Sequence, residues 1–338
     1  MVINIINVWL IWGSAFESIC FCLVTWMLGW TSLMLIYTIL NNKLVFCDLL
    51  KLMYENGSTL DIQSEQQEID KYIKHSKMCK NLIVFTTFLC AGGGLVCTFY
   101  PVVIYFFTGE AVLPYGFFIP GVSTTSNPGY LINYAYQAFQ CFLTVLGTMQ
   151  STFHIYLLFS SNTFYQMDNL IIKLRKLSAA IESNPNMRGH EEQIIQIIKI
   201  HNRMKTYMST VDGAFNKMFF LNIASYSIMN AMTLFVLVTK FWFIGYYLLG
   251  VLFGLIFLPC AIGTAIEVKN TALIDAVYEV SWYLLTPKER KTFCLFLMGV
   301  QTTQMPTCGG FLPLNINTFR ITYSKIYTLL MFLKDTQK

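Results

Sequence analysis

Long runs without a charged residue constrain this chain more than any other feature of its sequence. No Asp, Glu, Lys or Arg occurs in residues 81–109, 131–160, 218–239 or 241–266, and residues 18–42 form a further such run. Each run is long enough for the roughly 20 apolar residues with which an α-helix crosses a bilayer. Only 12% of the whole chain is charged, about half the usual share of a soluble domain. The sequence therefore predicts an all-α polytopic membrane protein.

Seven transmembrane helices are expected from these runs and from two weaker apolar segments at the ends. We place the spans at about 1–13, 18–42, 81–108, 131–160, 217–239, 241–266 and 314–333. The first is too short for a complete crossing, so we expect the chain to lack the beginning of its first helix.

The positive charges predict the orientation. Residues 43–80, 161–217 and 267–291, the loops after the second, fourth and sixth spans, carry six, eight and four Lys or Arg. Short loops rich in Lys and Arg stay in the cytoplasm. The N-terminus is therefore predicted to be cytosolic and the C-terminus extracellular. A seven-helix G-protein-coupled receptor has the opposite orientation, and no Asp/Glu-Arg-Tyr triplet ends the third span.

Catalytic, metal-binding and nucleic-acid-binding signatures are missing from the sequence. The ten cysteines contain no CxxC pair, and the four histidines show no HExxH spacing. The basic residues sit in short loops instead of forming one stripe, which disfavours a nucleic acid partner. We expect no enzyme activity, no cofactor and no metal site. His154 and Gln150 share a face of the fourth span, where a hydrogen bond between helices is the expected role of a polar side chain.

Three segments outside the predicted spans have recognisable patterns. Apolar residues at helical spacing in 168–182 and 191–215 predict cytosolic extensions of the fourth and fifth spans, a stalk within loop 161–217. Loop 109–130 holds several prolines and aromatic residues, which predicts a rigid outer lid. Tyr278, Trp282 and Tyr283 are predicted to share one helical face after the sixth span.

The last helix differs from the others because polar residues recur along it. Pro306, Gly309, Gly310 and Pro313 precede it, so 287–305 is expected to be a short helix that does not cross the membrane. A stripe with four-residue spacing follows, formed by Arg320, Ser324, Thr328 and Phe332. A polar stripe suits a helix that lines water, although a polar helix buried between neighbours has the same pattern.

Two stretches near the C-terminus carry a resemblance to insect odorant receptors. "PCAIGTAIEVKNTALIDAVYEVSWY" (259–283) and "GVQTTQMPTCGGFLPLNINTF" (299–319) resemble the C-terminal signature of that family. The matching positions are Cys260, Gly263, Ala276, Tyr278, Glu279, Trp282, Tyr283, Gln301, Gly309, Phe311 and Pro313. Tyr327-Thr328 fall on the family's late Tyr-Ser, and "VLPYGFFIP" and "IIKIHNRM" resemble its outer and inner loops.

The resemblance implies an odorant-specific subunit of a tetrameric, ligand-gated, non-selective cation channel in the plasma membrane of sensory neurons. Its implied partners are the odorant receptor co-receptor, a volatile odorant and the lipid bilayer. On this basis residues 1–266 form a six-helix transmembrane region, 267–305 form cytosolic anchor helices, and 306–338 hold the pore-lining helix and tail. The implied anchor residues are Tyr278, Trp282, Tyr283 and Gln301. The implied pore and gate residues are Arg320, Ser324, Thr328, Phe332 and Leu333.

The same resemblance places odorant recognition in the outer halves of the second, third, fourth and sixth spans. The candidate odorant-binding residues there are Trp30, Cys97, Tyr100, Phe139, Phe142, Leu143, Tyr246 and Tyr247. An insect gustatory receptor is the alternative, because Thr322-Tyr323 match part of that family's last-helix motif. Two departures from the odorant receptor pattern, the bulk of Phe332 and the charge of Arg320, predict that the chain does not conduct as a homotetramer.

Overall fold

A computed structural model describes most of this chain. It covers residues 16–58, 66–109, 118–123, 126–142, 150–183, 190–239, 241–302 and 304–335, together with residue 113. The predicted first span at 1–13 lies outside the described residues, as do residues 110–112, 114–117 and 124–125 of the predicted lid.

Nine α-helices and one short hairpin make up the described part of the chain. The first helices are α1 (Phe16–Asn41), α2 (Lys43–Ser58), α3 (Gln66–Thr108), α4 (Asn127–Phe142) and α5 (Gln150–Ser183). They are followed by α6 (His190–Thr239), α7 (Phe243–Tyr278), the 3₁₀ turn Trp282–Leu284 and α8 (Pro287–Gln301). Strands β1 (Thr307–Cys308) and β2 (Leu312–Pro313) then pair antiparallel, and α9 (Ile316–Asp335) ends the described chain.

Three of the described helical segments are long and apolar enough to cross a membrane. They are Gln66–Thr108, His190–Thr239 and Phe243–Leu284. Trp26–Asn41 and Lys43–Glu55 meet at 68° and count as a fourth if they are taken as one broken span. The predicted fourth span falls on α4 and α5, between which residues 143–149 lie outside the described part. The architecture is thus that of a mostly helical membrane protein.

The long helix α6 forms the centre of the core. It contacts α1, α5, α7 and α9 along its length. Next to it, aromatic rings interlock: Tyr156 of α5 meets Phe219 edge to face at 4.7 Å between centroids, and Phe159 meets Phe215 at 6.2 Å. Such pairs contribute beyond the area they bury. The stalk predicted in loop 161–217 corresponds to the unbroken ends of α5 and α6. There His201 is buried edge-on against Phe296, and this burial lowers its pKa.

A buried carboxylate links α3, α5 and α7 in the part of the fold that lies outside the charge-free runs. Asp168 of α5 accepts a hydrogen bond from Nε2 of His75 at 2.7 Å and a short one from Lys269, and Lys71 lies 3.9 Å away. Burial alone would raise the pKa of this carboxyl, but the hydrogen bonds from His75 and Lys269 outweigh it and hold the pKa at about 2.

The hairpin fixes the junction between α7 and α9. Gly309 and Gly310 connect its strands with φ of 71° and 82°, a conformation that favours glycine. Gly263 of α7 lies so close to Leu314 that a Cβ added to it would come within 1.7 Å of the Leu314 carbonyl oxygen. The Ile316 amide donates to the Thr264 hydroxyl at 2.9 Å, which caps the start of α9 against α7. The family-like Gly263 therefore meets Leu314, the residue that follows the family-like Pro313.

The structure corrects the prediction of a single helical face for Tyr278, Trp282 and Tyr283. Helix α7 ends at Tyr278, and the other two side chains belong to the 3₁₀ turn. Hydrogen bonds to α5 explain the break, because the Ser281 hydroxyl donates to Glu182 at 2.6 Å and the Ser281 amide donates to Ser178 at 3.3 Å. A continued helix would lose these contacts.

Candidate functional site

A cavity of about 280 Å³ lies between α3, α5 and α7. Eleven residues line it, and most of them are apolar or aromatic. They are Thr86, Leu89, Cys90, Phe153, Tyr246, Tyr247, Gly250, Val251, Gly254, Leu255 and Leu258. An apolar cavity with a few polar groups is the usual form of a small-molecule site.

Helix α7 supplies most of the wall, and its glycines provide the space. A Cβ added at Gly250 or Gly254 would meet no atom within 4 Å. Gly93 of α3 acts differently, because a Cβ there would come within 1.8 Å of the Tyr247 ring. The absence of a side chain at Gly93 therefore lets the ring of Tyr247 pack directly against the backbone of α3.

Two hydrogen bonds hold the polar groups of the wall in place. The Tyr247 hydroxyl donates to the backbone carbonyl of Cys90 at 3.2 Å, which ties α7 to α3. The Thr86 hydroxyl and Nε2 of His154 lie 3.0 Å apart, which ties α3 to α5. For His154 this is the interhelical role predicted from the sequence. The side chain of Gln150 lies outside the described part of the chain.

The structure brings two of the eight candidate odorant-binding residues into this cavity, Tyr246 and Tyr247. Tyr100 lies further along α3, where its ring stacks on Phe243 with 4.8 Å between centroids. Trp30 on α1 does not line the cavity. Phe139 and Phe142 on α4 do not line it either, and both are more than 60% exposed. The side chain of Cys97 and the whole of Leu143 lie outside the described residues.

Sequence reasoning did not identify the remaining lining residues. Thr86, Leu89 and Cys90 belong to the first half of the predicted third span. The family resemblance instead implies odorant recognition in the outer half, which is the second half of this span. The repeated glycines at 250 and 254 were the available signal, since glycine inside a helix often marks a site where something approaches the backbone closely.

The predicted pore stripe lies on an open face of α9. Arg320, Ser324, Thr328 and Phe332 are all exposed in the isolated chain, whereas Leu333 packs against the core. The Arg320 guanidinium donates to Asn317 at 3.1 Å. The stripe therefore faces away from this subunit's own core.

The opposite side of α9 contacts α7 through four aromatic rings. Phe253 and Phe257 of α7 each meet Phe319 of α9 edge to face at 5.4 Å between centroids. Tyr323 meets Phe253 at 5.4 Å as well. Because α7 also forms the cavity wall, one helix connects the cavity with the helix that carries the polar stripe.

The residues predicted to form the anchor are grouped near the end of α7. Nε2 of Gln301 at the end of α8 donates to the Tyr278 hydroxyl at 2.7 Å. Tyr278 and Tyr283 are both more than half exposed, and Trp282 packs edge-on against Tyr283. Helix α8 begins with a capping box between Thr286 and Glu289.

Two solved structures share this fold. The structure of olfactory receptor OR5 from Machilis hrabei in complex with eugenol matches with a TM-score of 0.83 at 15% identity, covering 98% of this chain and 85% of that one. The structure of the same receptor described without a ligand matches with a TM-score of 0.79, covering 98% and 84%.

Related sequences agree with this likeness. Odorant receptor 10 of Aedes albopictus is 26% identical over 246 residues, which are 70% of this chain and 63% of that protein, so the chain spans less than two thirds of this relative. Putative odorant receptor 83c of Drosophila melanogaster is 19% identical over 296 residues, 83% of this chain and 72% of that protein.

A family model provides the assignment. The model described as "7tm Odorant receptor" matches residues 12–327. The family consists of receptors and not of enzymes, in agreement with the sequence prediction. Because the match covers nearly the whole chain, this chain belongs to the 7tm odorant receptor family.

Proposed function

We propose that this chain is the odorant-specific subunit of a ligand-gated, non-selective cation channel. The observation that supports this most strongly is the apolar cavity between α3, α5 and α7, lined by Tyr246 and Tyr247 in a chain of the odorant receptor family. Membership of the odorant receptor family disfavours the gustatory alternative.

The cavity suits an apolar volatile of moderate size. A cavity of about 150 Å³ in another protein is large enough to bind benzene, and this one is about 280 Å³. Its polar groups are few, and the Tyr247 hydroxyl already donates to the Cys90 carbonyl. The Machilis hrabei receptor of the same fold was solved in complex with eugenol, which favours an aromatic volatile as the first ligand class to test.

The subunit is proposed to cross the membrane seven times, with a cytosolic N-terminus and an extracellular C-terminus. The Lys and Arg residues of loops 43–80, 161–217 and 267–291 support this orientation. The proposed location is the plasma membrane of sensory neurons. A C-terminal tag that cannot be stained on intact cells, despite good surface expression, would overturn the topology.

The pore is proposed to form in a hetero-tetramer with the odorant receptor co-receptor. The open polar face of α9 supports this, because Arg320, Ser324 and Thr328 suit a neighbouring subunit or a water-filled space better than lipid. The exposed rings of Tyr278 and Tyr283 are available to bury against a neighbouring subunit in the cytosolic anchor.

Gating is proposed to pass along α7. A volatile in the cavity contacts one side of α7, and Phe253 and Phe257 on that helix contact α9. A ligand shifts a channel towards opening only by as much as it prefers the open arrangement of these helices.

Whole-cell recording tests the proposal. Cells express this chain with the insect co-receptor, this chain alone, or the co-receptor alone, and all receive the same panel of aromatic and aliphatic volatiles. We expect a volatile-evoked cation current only in the co-expressing cells. Silence in all three, with both proteins confirmed at the surface, would overturn it, and current from this chain alone would overturn the predicted need for a partner.

A further inference from the structure

A second cavity, of about 240 Å³, lies between α2, α3 and α5, where α3 changes from charged to apolar. Its lining combines polar and apolar residues: Met53, Tyr72, His75, Ser76, Cys79, Lys80, Ile83, Leu158, Ser161, Asn162 and Tyr165. Lys80 is the last charged residue before the charge-free run that starts at residue 81. The cavity is therefore at the level at which a bilayer changes from head groups to acyl chains.

Two polar side chains that line this cavity, His75 and Asn162, each have a buried nitrogen without a hydrogen-bond partner among the described residues. His75 is only 7% exposed, and its Nε2 donates to Asp168. Its Nδ1 is buried and has no hydrogen-bond partner among the described residues. Nδ1 is enclosed, so a group bound in the cavity is held by other polar side chains of the lining, among them the exposed Ser76 and Lys80.

The charge balance indicates the sign of that group. Asp168 and Glu68 are already paired, Asp168 with His75, Lys71 and Lys269, and Glu68 with Lys173 and Lys176. Within the described part of the chain, no carboxylate forms a salt bridge with Lys80. The exposed residues Lys74 and Lys77 on the same helix add further positive charge.

The other side of the cavity is apolar. Met53, Ile83 and Leu158 form it. A small soluble anion would not use these side chains, whereas a phospholipid has both a phosphate and acyl chains. Basic cavities between helices at the membrane surface commonly bind anionic lipid head groups.

We propose that this cavity binds the phosphate group of an anionic phospholipid, with its acyl chains against Ile83 and Leu158. The Lys80 ammonium and the Ser76 hydroxyl donate hydrogen bonds to phosphate oxygens. Placing this lipid in the cytosolic leaflet rests on the proposed orientation. The binding itself rests only on the cavity.

Thermal unfolding of the purified full-length chain in detergent tests this. The probes are dioctanoyl phosphatidylserine, dioctanoyl phosphatidylcholine and inorganic phosphate, each titrated at constant ionic strength. The variants are Lys80→Ala and Lys80→Arg, and the matched control is Lys77→Ala. Lys77 has the same charge on the same helix but does not line the cavity.

We expect the phosphatidylserine probe to raise the melting temperature saturably and phosphatidylcholine to have a much smaller effect. Lys80→Ala should weaken the apparent affinity about tenfold or more, Lys80→Arg should retain it, and Lys77→Ala should stay within about twofold of wild type.

Equal losses in Lys80→Ala and Lys77→Ala would overturn the proposal in favour of unspecific surface attraction, and so would the absence of a saturable shift. An equal shift with inorganic phosphate would assign the cavity to a soluble anion instead of a lipid. The assay needs neither an odorant nor a co-receptor. Its outcome is thus independent of whether the channel proposal holds.

Discussion

Replacing Gly250 with a larger residue tests the cavity between α3, α5 and α7 most directly, because the new side chain would fill part of it. A Cβ at Gly250 meets no atom within 4 Å, and the residue lines the cavity. In Gly250→Leu, four carbon atoms project into that space without displacing protein atoms near the backbone. The substitution therefore competes with a ligand for volume.

The magnitude follows from the apolar contact that the ligand loses. Each buried CH₂ contributes about 0.8 kcal/mol, so excluding about three such groups costs roughly 2.5 kcal/mol, or about 60-fold in half-maximal concentration. The variant should fold at least as well as the wild type, because replacing glycine inside a helix gains about 0.5–1 kcal/mol. Small volatiles should be affected least, since they leave part of the cavity unused.

The assay is the odorant concentration–response curve in cells that also express the co-receptor. The matched control is Gly94→Leu on α3, where a Cβ also meets no atom within 4 Å but the residue does not line the cavity. Surface expression is measured for both variants. If Gly250→Leu shifted the curve no more than Gly94→Leu at equal surface levels, the cavity would not be the odorant site.

Three further predictions concern other parts of the molecule. Tyr100→Ala removes a ring that stacks on Phe243, one helical turn from Tyr246 and Tyr247 on α7, and should change the ranking of odorants at unchanged surface expression; an unchanged ranking would reject Tyr100 as a recognition residue. Gly263→Ala brings a Cβ within 1.7 Å of the Leu314 carbonyl oxygen, so surface expression should fall sharply, whereas Gly213→Ala, which has open space, should be tolerated. Asp168 has a pKa lowered from 3.8 to about 2, so it contributes about 2 kcal/mol of stability above pH 4 that is lost as the pH falls towards 2. In detergent, the melting temperature of Asp168→Asn should therefore be lower than that of the wild type near neutral pH. It should also depend less on pH than the wild type's does between pH 4 and pH 2.

Helix positions were largely predictable because they depend on where charges are placed. Apart from residues 109, 241 and 242, the charge-free runs at 81–109, 218–239 and 241–266 fall within α3, α6 and α7. Burying a charge in a bilayer is expensive, so these runs have few alternative structures. The resemblance likewise included Gly263, which lies at the junction of α7 and α9 against Leu314.

The cavity was less predictable because the faces of a membrane helix look alike in sequence. Lipid-facing and buried side chains are both apolar, so the pattern that separates them in a soluble helix is weak. Leu89 lines the cavity, whereas its neighbour Phe88 is 80% exposed, and no feature of the sequence distinguishes them. Tyr246 and Tyr247 were identified because the family resemblance implies odorant recognition in that half of the predicted sixth span.

The broken helix after Tyr278 shows a second limit. Spacing alone predicted one helical face through Tyr283, and local propensity does not oppose it. The chain turns instead because Ser281 hydrogen bonds to Ser178 and Glu182 of α5, about a hundred residues earlier. Such a long-range contact cannot be read from a local pattern.

The space in the cavity also gives a physical reason for the proposed gating. The glycines at 250 and 254 cost helix stability and leave apolar walls without contact partners, both of which are unfavourable in a close-packed interior. A ligand that fills the space supplies these contacts, and it supplies most in the arrangement of α3, α5 and α7 whose cavity fits it best. Since Phe253 and Phe257 connect α7 to α9, stabilising one position of α7 also stabilises one position of α9. Affinity and gating should therefore change together when the wall of α7 is altered, and separately when only the aromatic contact with α9 is altered.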